Sequence, residues 1–388
     1  MWKRIHFIDL DKIDFVIISL FITLTSCGLL AIASSSITYS DLSSSSSLDF
    51  LIKQSVHLII GLVALFIILS IKISFWEKTD RVFLATGIFL LVLVLIPSVG
   101  TEVNGASRWI RFGSFSLQPS EIMKFISIIY ISGYSARRLT ELRNKILGFI
   151  KPAFLIVLVT LLILLQPDLG SSAVLFLTVL GILFVAGVPL MQFMVIISLG
   201  FTALFSLIIF VPWRWERVIS FMDPWNDKFD TGYQLTQSLM AIGRGDWFGK
   251  GIGESVIKMG YLPEAHTDFI FSIIVEEMGL IFALFLILLL FILVFRCFRI
   301  ANDSKQKGLF FSSFISYGVG ILIGLHTFIN VGVASGLLPT KGLTLPFISY
   351  GGNNLIVMCA LLGLILRIDY ENKESMPSQK IIRKATYL

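Results

Sequence analysis

Charged residues are scarce in this sequence. Asp, Glu, Lys and Arg make up 14% of its 388 residues, whereas soluble domains average about 25%. Hydrophobic residues reach 56%, so too few charges remain to cover a surface exposed to water. The composition excludes an ordinary soluble protein and indicates a chain that lies largely in lipid.

Cysteine is also rare. Cys27, Cys297 and Cys359 lie within or beside apolar runs, and none has a partner at metal-ligand spacing. We interpret them as small apolar side chains, which argues against a zinc or redox site. The net charge of +6 does not indicate nucleic acid, because the basic residues cluster just outside apolar runs and so report topology.

Long apolar runs are what the chain has in abundance. A spanning helix needs about 20 mostly apolar residues. Ten runs meet this need: 14–36, 51–73, 81–98, 119–136, 148–166, 171–187, 189–211, 268–296, 309–333 and 344–367. The sequence therefore predicts an all-α polytopic membrane protein with about ten transmembrane helices. The first run is interpreted as an uncleaved anchor, because acidic residues interrupt the segment before it.

The basic residues fall in loops on one side of these ten spans. The positive-inside rule makes that side cytoplasmic and places both termini there. We predict a single membrane domain, with cytoplasmic tails at 1–13 and 368–388 and a long extracytoplasmic loop, 212–267, between helices 7 and 8. The aromatic residues of this loop argue against disorder.

The end of the long loop combines carboxylates with an imidazole. Glu264, His266 and Asp268 come directly before an apolar span. A carboxylate at the membrane edge is poorly solvated, which raises its pKa and suits a general base. The alternative for Asp268 is a helix cap, and the two roles are compatible. Glu276 and Glu277, further along the span, are either structural partners of basic residues or part of a pathway.

A second polar stretch precedes the fourth span. Arg108 and Arg111 flank Trp109 and are either interfacial anchors or a pair that holds phosphate by forked hydrogen bonds. The start of the following helix carries Glu121 and Lys124, which makes this span the least hydrophobic of the ten.

Two further motifs interrupt the apolar pattern. Gln166–Gly170 is either a plain tight turn or a break that lines protein or water. The segment 232–251 contains several glycines with Arg244 and Lys250. It is either an anion-binding loop or a turn at the membrane surface. It lacks the GKS or GKT ending of a nucleotide-binding P-loop.

The last motif, 338–352, separates the final two spans with prolines and glycines. Its cation, Lys341, is either a snorkelling side chain or a phosphate contact. Ser349 lies near the end of the same motif.

Taken together, these motifs resemble the SEDS family (shape, elongation, division and sporulation). The matching segments are NGASRW at 104–109, LQPSE at 117–121, QPDLGSS at 166–172, GYQLTQSLMAIGRG at 232–245, YLPEAHTDFIF at 261–271 and LPTKGLTLPFISYGG at 338–352. The resemblance covers about residues 10–372 and is greater to the division branch than to the elongation branch. One departure is the Asn353-Asn354 pair, where the family commonly has two small residues.

The resemblance implies a SEDS-type fold of ten spans and a peptidoglycan glycosyltransferase that polymerises lipid II, with undecaprenyl pyrophosphate as leaving group. It places the protein in the bacterial plasma (inner) membrane at the division septum. The implied partners are a class B penicillin-binding protein, the FtsI-type division transpeptidase, with the FtsQLB complex and FtsN as regulators. Asp268 matches the essential aspartate of the family.

The chemistry of lipid-linked sugars suggests roles for these residues. Transfer from an α-linked donor to a β-1,4 bond is a single inversion, which needs a base and a stabilised leaving group. We predict Asp268 as the catalytic base. The predicted substrate-binding residues are Arg108, Arg111, Glu121, Lys124, Arg244, Lys250, Glu264, His266, Lys341 and Ser349. A divalent cation, Mg²⁺ or Mn²⁺, is a candidate cofactor without assigned ligands.

Two other functions compete with the enzyme. A lipid II flippase without chemistry needs polar groups throughout the membrane depth, and a divisome scaffold needs only contact surfaces. The polar motifs of this sequence cluster on the outer side, which favours the polymerase.

Overall fold

The computed structural model describes residues 9–42, 49–103, 105–113 and 115–374. The ends of the predicted tails and part of the serine-rich loop after the first span lie outside the described residues. A 3₁₀ turn, Leu10–Lys12, precedes the first helix. The helices are α1 Phe15–Leu42, α2 Asp49–Ser70, α3 Ile73–Leu93, α4 Pro119–Arg137, α5 Leu139–Asn144, α6 Ile146–Leu164, α7 Leu169–Ala186, α8 Leu190–Ile209, α9 Pro212–Met222, α10 Tyr233–Gly245, α11 Ile270–Gln306, α12 Phe310–Ala334 and α13 Gly352–Glu374. Three strands, β1 Gly100–Val103, β2 Ala106–Phe112 and β3 Phe115–Leu117, form an antiparallel sheet in the order β1-β2-β3.

The long helices confirm a polytopic helical membrane protein. Within the described ranges, each of the ten predicted spans overlaps a helix of at least 18 residues. Seven of them, α1, α2, α6, α7, α11, α12 and α13, are long and apolar enough to cross a membrane by length and composition. The helix α4 carries Glu121 and Lys124, both of which are buried inside the protein.

Two of the long helices begin at a markedly different residue from the prediction. The helix α3 begins at Ile73 and not near 81, so its first turns carry charged residues, of which Asp80 faces the protein interior. Asp80 is buried and pairs with Arg137 of α4 at 2.5 Å. The helix α13 begins at Gly352 and not at 344, because 338–351 forms an irregular loop whose residues are largely buried.

The helices α12 and α13 lie at the centre of the bundle. The helix α13 packs along α2 and α12 packs along α11, and 89% of the α13 span is buried. A Cβ atom at Gly61 would lie 2.9 Å from the Cys359 sulfur, so α2 and α13 approach closely there. All three cysteines are free, as expected for packing residues.

The long helix α11 is broken at Gly279, where φ is 86° and ψ is 166°. The loop after α10 enters the break and accepts the hydrogen bonds that the helix loses. Leu280 N donates to Asp246 O at 2.9 Å, and Ile281 N donates to Trp247 O at 3.3 Å. Such pairing is required because unpaired backbone groups are costly in a membrane.

We predict that Gly279→Ala destabilises the protein by about 1–3 kcal/mol through the left-handed backbone alone. The added Cβ would also lie 2.4 Å from Trp247 O. Thermal unfolding of the purified chain in detergent measures the loss. The matched control is Gly324→Ala in α12, where the nearest atom to a new Cβ is 3.8 Å away. Equal melting temperatures for the two variants would contradict the prediction.

Candidate active site

A cavity of about 750 Å³ lies between the sheet, the start of α4 and the loops before α11 and α13. This volume falls within the range of small-molecule sites, about 300–1,000 Å³. Five of the predicted site residues line it: Arg108, Glu121, Glu264, Asp268 and Lys341. Its other polar lining residues are His57, Ser116, Gln118, Asp168, Ser171, Gln234, Thr267, Thr340, Thr344, Tyr350, Asn353 and Asn354.

Asp268 lies in an irregular segment that its neighbours hold in place. Asn330 of α12 donates its side-chain Nδ2 to Asp268 O at 2.9 Å, and Tyr350 N donates to His266 O at 2.9 Å. Glu264 adopts a φ of 56°, in the left-handed region that non-glycine residues rarely occupy. The segment is therefore a constrained turn and not a free loop.

The side chain of Asp268 lines the cavity and does not cap the helix α11. The N-cap residue of α11 is Phe269, and no side chain caps this helix end. The capping alternative from the sequence is therefore wrong. The carboxylate of Asp268 lines the cavity, where it is available to a substrate.

Burial raises the pKa of Asp268 to about 7. The nearby carboxylates of Glu264 and Asp168 raise the pKa further, whereas the positive charge of Arg108 lowers it. A carboxyl group that titrates near neutral pH is suited to take a proton from a hydroxyl. Burial also lowers the pKa of His266, which favours its neutral form.

Only one of the two predicted arginines of β2 reaches the cavity. Arg108 lines the cavity and donates to Gln166 O at 3.3 Å and to Pro167 O. Arg111 is exposed and does not line the cavity.

The break at Gln166–Gly170 contributes a further carboxylate, Asp168, which was not among the predicted site residues. Asp168 caps α7 by accepting a hydrogen bond from Ser171 N at 3.1 Å. Its other oxygen accepts from Ser120 Oγ at 3.3 Å and Gln118 Nε2 at 3.4 Å. The motif is therefore both a helix start and part of the cavity wall.

Below the cavity, Lys124 belongs to a buried network. Its ammonium contacts Glu121 Oε1 at 2.7 Å and His326 Nε2 at 3.2 Å. Asn354 donates to the other oxygen of Glu121 at 2.9 Å. Glu121 faces the cavity, whereas Lys124 lies behind it and holds the carboxylate in place.

The irregular 338–351 loop forms the opposite wall. Lys341 lines the cavity. The next residue is glycine because a Cβ at Gly342 would lie 2.9 Å from Asp268 Oδ2. Ser349 does not line the cavity, and its hydroxyl accepts from Leu345 N at 2.7 Å within the loop.

Arg244 and Lys250 do not line the cavity. Arg244 pairs with Glu276 at 3.0 Å, and the buried Lys258 pairs with Glu277 at 2.6 Å. The two glutamates are thus structural partners of basic residues, as one of the two sequence interpretations proposed. Lys258 carried no sequence signal beyond its charge.

We predict that Glu277→Ala destabilises the fold by about 3–5 kcal/mol, because the buried Lys258 loses its counter-charge. Replacing both residues, as Lys258→Met with Glu277→Leu, should recover much of the loss. The control is Glu141→Ala, which removes a partner of the exposed ion pair with Arg138. Thermal unfolding measures all three variants, and a Glu277→Ala protein as stable as the control would contradict the prediction.

No group of three or more His, Cys, Asp and Glu side chains suited to a metal ion occurs among the described residues. Mg²⁺ often binds through one or two carboxylates together with substrate phosphates, which needs fewer protein ligands. The divalent cation therefore stays a prediction from the sequence.

Several cavity residues gave little or no signal in the sequence. His57 lies in the apolar helix α2, and a Cβ at Gly352 would lie 2.4 Å from its ring. The Asn353-Asn354 pair was noted only as a departure. Asn353 donates to Ser116 O at 2.7 Å and so ties α13 to the sheet.

The family model FTSW_RODA_SPOVE, described as "Cell cycle protein", matches residues 14–374. Saccharophagus degradans has a relative named "Probable peptidoglycan glycosyltransferase FtsW" that is 44% identical over 94% of this chain and 96% of the relative. A protein of the same name from Wigglesworthia glossinidia brevipalpis is 44% identical over 92% of this chain and 93% of its own length.

Two solved structures share the fold. One is a chain of a peptidoglycan synthase complex that coordinates polymerization and crosslinking. It matches with a TM-score of 0.76 and 28% identity, covering 94% of this chain and 99% of that chain. The rod shape determining protein RodA of Thermus thermophilus matches with a TM-score of 0.70 and 26% identity, covering 93% of this chain and 97% of RodA.

Proposed function

The chain belongs to the FtsW, RodA and SpoVE family of cell cycle proteins, and from this we propose that it is a peptidoglycan glycosyltransferase of the FtsW type. The resemblance seen in the motifs is confirmed by the relatives, which carry that name at 44% identity. The substrate of the proposed reaction is lipid II. The observation that supports it best is a cavity in which Asp268, with a pKa of about 7, faces the cations Arg108 and Lys341.

The reaction follows from the groups in the cavity. The acceptor's 4-hydroxyl gives its proton to Asp268 while its oxygen forms a bond to C1 of the donor sugar. The C1–O bond to phosphate breaks, and undecaprenyl pyrophosphate leaves with the bonding electrons. A single displacement inverts the anomeric centre and needs no covalent enzyme intermediate.

The cations that line the cavity stabilise the negative charge of the leaving pyrophosphate. Arg108 presents planar N–H donors that suit phosphate oxygens, and its contacts to the carbonyls of Gln166 and Pro167 hold it in position. Lys341 supplies a second positive charge from the facing loop. Fixed charges in a site that excludes water contribute strongly to catalysis.

We predict that Asp268→Asn abolishes polymerisation, because an amide of the same shape is not a base. The measurement is glycan synthesis from defined lipid II by the purified chain with its transpeptidase, resolved on a gel. The control Asp230→Asn alters an exposed carboxylate of the same extracytoplasmic loop and should retain activity. Full activity of Asp268→Asn would refute the assignment of the base.

The pH dependence should report the same carboxyl group. Asp268 must be ionised to act, so the rate should fall as the pH drops below about 7. Glu264→Gln removes a charge that raises the pKa of Asp268 and should move this acidic limb to lower pH. Arg108→Gln removes a charge that lowers it and should move the limb to higher pH. A limb that moves in the same direction in both variants would rule out this electrostatic account.

The flippase alternative is less well supported by the site. Lys124, which lies below the cavity, pairs with Glu121 of the cavity wall. A liposome assay of lipid II flipping, run beside the polymerisation gel, separates the two activities.

We place the protein in the bacterial plasma (inner) membrane at the division septum, with both termini cytoplasmic. The basic loops support this orientation through the positive-inside rule. A class B penicillin-binding protein of the FtsI type is the proposed partner, and the similarity to a chain of a synthase complex that joins polymerization to crosslinking supports it. The FtsQLB complex and FtsN are proposed as regulators on the family resemblance alone.

A further inference from the structure

We infer that Asn330 is a positioning residue that sets the catalytic base Asp268 against the loop that carries Lys341. The inference rests on the proposed function, in which Asp268 is the base. One side-chain amide makes both contacts: Asn330 Nδ2 donates to Asp268 O at 2.9 Å and to Leu343 O at 2.7 Å. The amide therefore joins two segments that form different walls of the cavity.

The two segments need such support because neither is a regular element. Asp268 lies before the start of α11, and Leu343 lies in the loop before α13. Each contains a non-glycine residue in the left-handed region, Glu264 with a φ of 56° and Phe347 with a φ of 64°. Strained backbone of this kind persists only where its surroundings hold it. Asn330 projects from the regular helix α12 and supplies a fixed point for both segments.

Packing alone would favour an apolar side chain at the position of Asn330. Asn330 is 1% exposed, and its Oδ1 has no hydrogen-bond partner among the described residues. A buried amide oxygen without a donor destabilises the fold. What the amide supplies is a nitrogen with two hydrogens, which a hydroxyl or an apolar side chain of this size lacks.

The distance between the Asp268 carboxylate and the loop that carries Lys341 is important for the reaction. A Cβ added at Gly342 would be 2.9 Å from Asp268 Oδ2, so the loop passes close to the carboxylate. Lys341 and Leu343 flank this glycine. A shift of the loop relative to Asp268 would change both the surroundings of the base and the position of the cation. Displacement by 1 Å can cost about 100-fold in rate.

The test compares three variants of the full chain in the lipid II polymerisation assay. Asn330→Leu keeps the size and removes both donors, and Asn330→Ser leaves a donor for one carbonyl. The matched control Thr327→Val lies one turn earlier in α12, where the hydroxyl donates to Ile323 O of its own helix at 2.9 Å.

We expect kcat to fall about 10–100-fold in Asn330→Leu and less in Asn330→Ser, with little change in KM. The acidic limb of the pH–rate profile should move to lower pH in Asn330→Leu, because a loosened Asp268 is better hydrated. Thr327→Val should resemble the wild type in kcat and pH profile. Thermal unfolding of each variant shows whether the fold is intact.

A wild-type kcat in both Asn330 variants would overturn the positioning role. So would a loss of kcat that follows the loss of thermal stability while the acidic limb stays in place. If Asn330→Leu does not fold, Asn330→Ser decides the question by the same two readouts. Activity in Asp268→Asn would refute the proposed function instead, and so the two failures are distinguishable.

Discussion

The structure depends on one constraint: polar groups that enter a membrane protein must find their partners inside the protein. The chain leaves regular helix at Gly279 and around Asp268 and Leu343, and hydrogen bonds from elsewhere in the protein hold each of these places. The break at Gly279 is filled by the loop after α10. The segments around Asp268 and Leu343 share the amide of Asn330. Irregular backbone is thus possible because neighbouring elements replace the lost helical bonds.

The same constraint acts on the buried ionisable side chains. Away from the cavity, Glu277 is paired with Lys258 and Asp14 with Arg296. Asp268, in contrast, lines the cavity. Burial without a close counter-ion raises the pKa of Asp268, and this gives the carboxyl group its basicity at neutral pH. The same cost of burying a charge therefore leads to ion pairs in the protein interior and to a basic carboxylate in the cavity.

Much of the site was predictable because its chemistry sits in contiguous motifs. Asp268 stood out by its place between a polar loop and an apolar span, and Lys341 by a cation among prolines and glycines. Arg111 was predicted together with Arg108 because a motif does not show which of its residues reaches a cavity. Arg244 was selected for its glycine-rich surroundings, although Glu276, 32 residues further along the chain, is its partner. The small sheet went unpredicted because its strands are only three to seven residues long.

The sequence by itself determined the membrane class, the places of the long helices and the family, because composition and apolar run length depend on neighbouring residues alone. The tertiary structure decided which charges are paired and which remain open to a substrate. It also brought His57, Asp168 and Asn330 to the site, since contacts between residues far apart in sequence arise only when the helices pack. The physical reason is that the pKa of Asp268, the shape of the cavity and the hydrogen bonds of Asn330 all depend on distances between atoms in space.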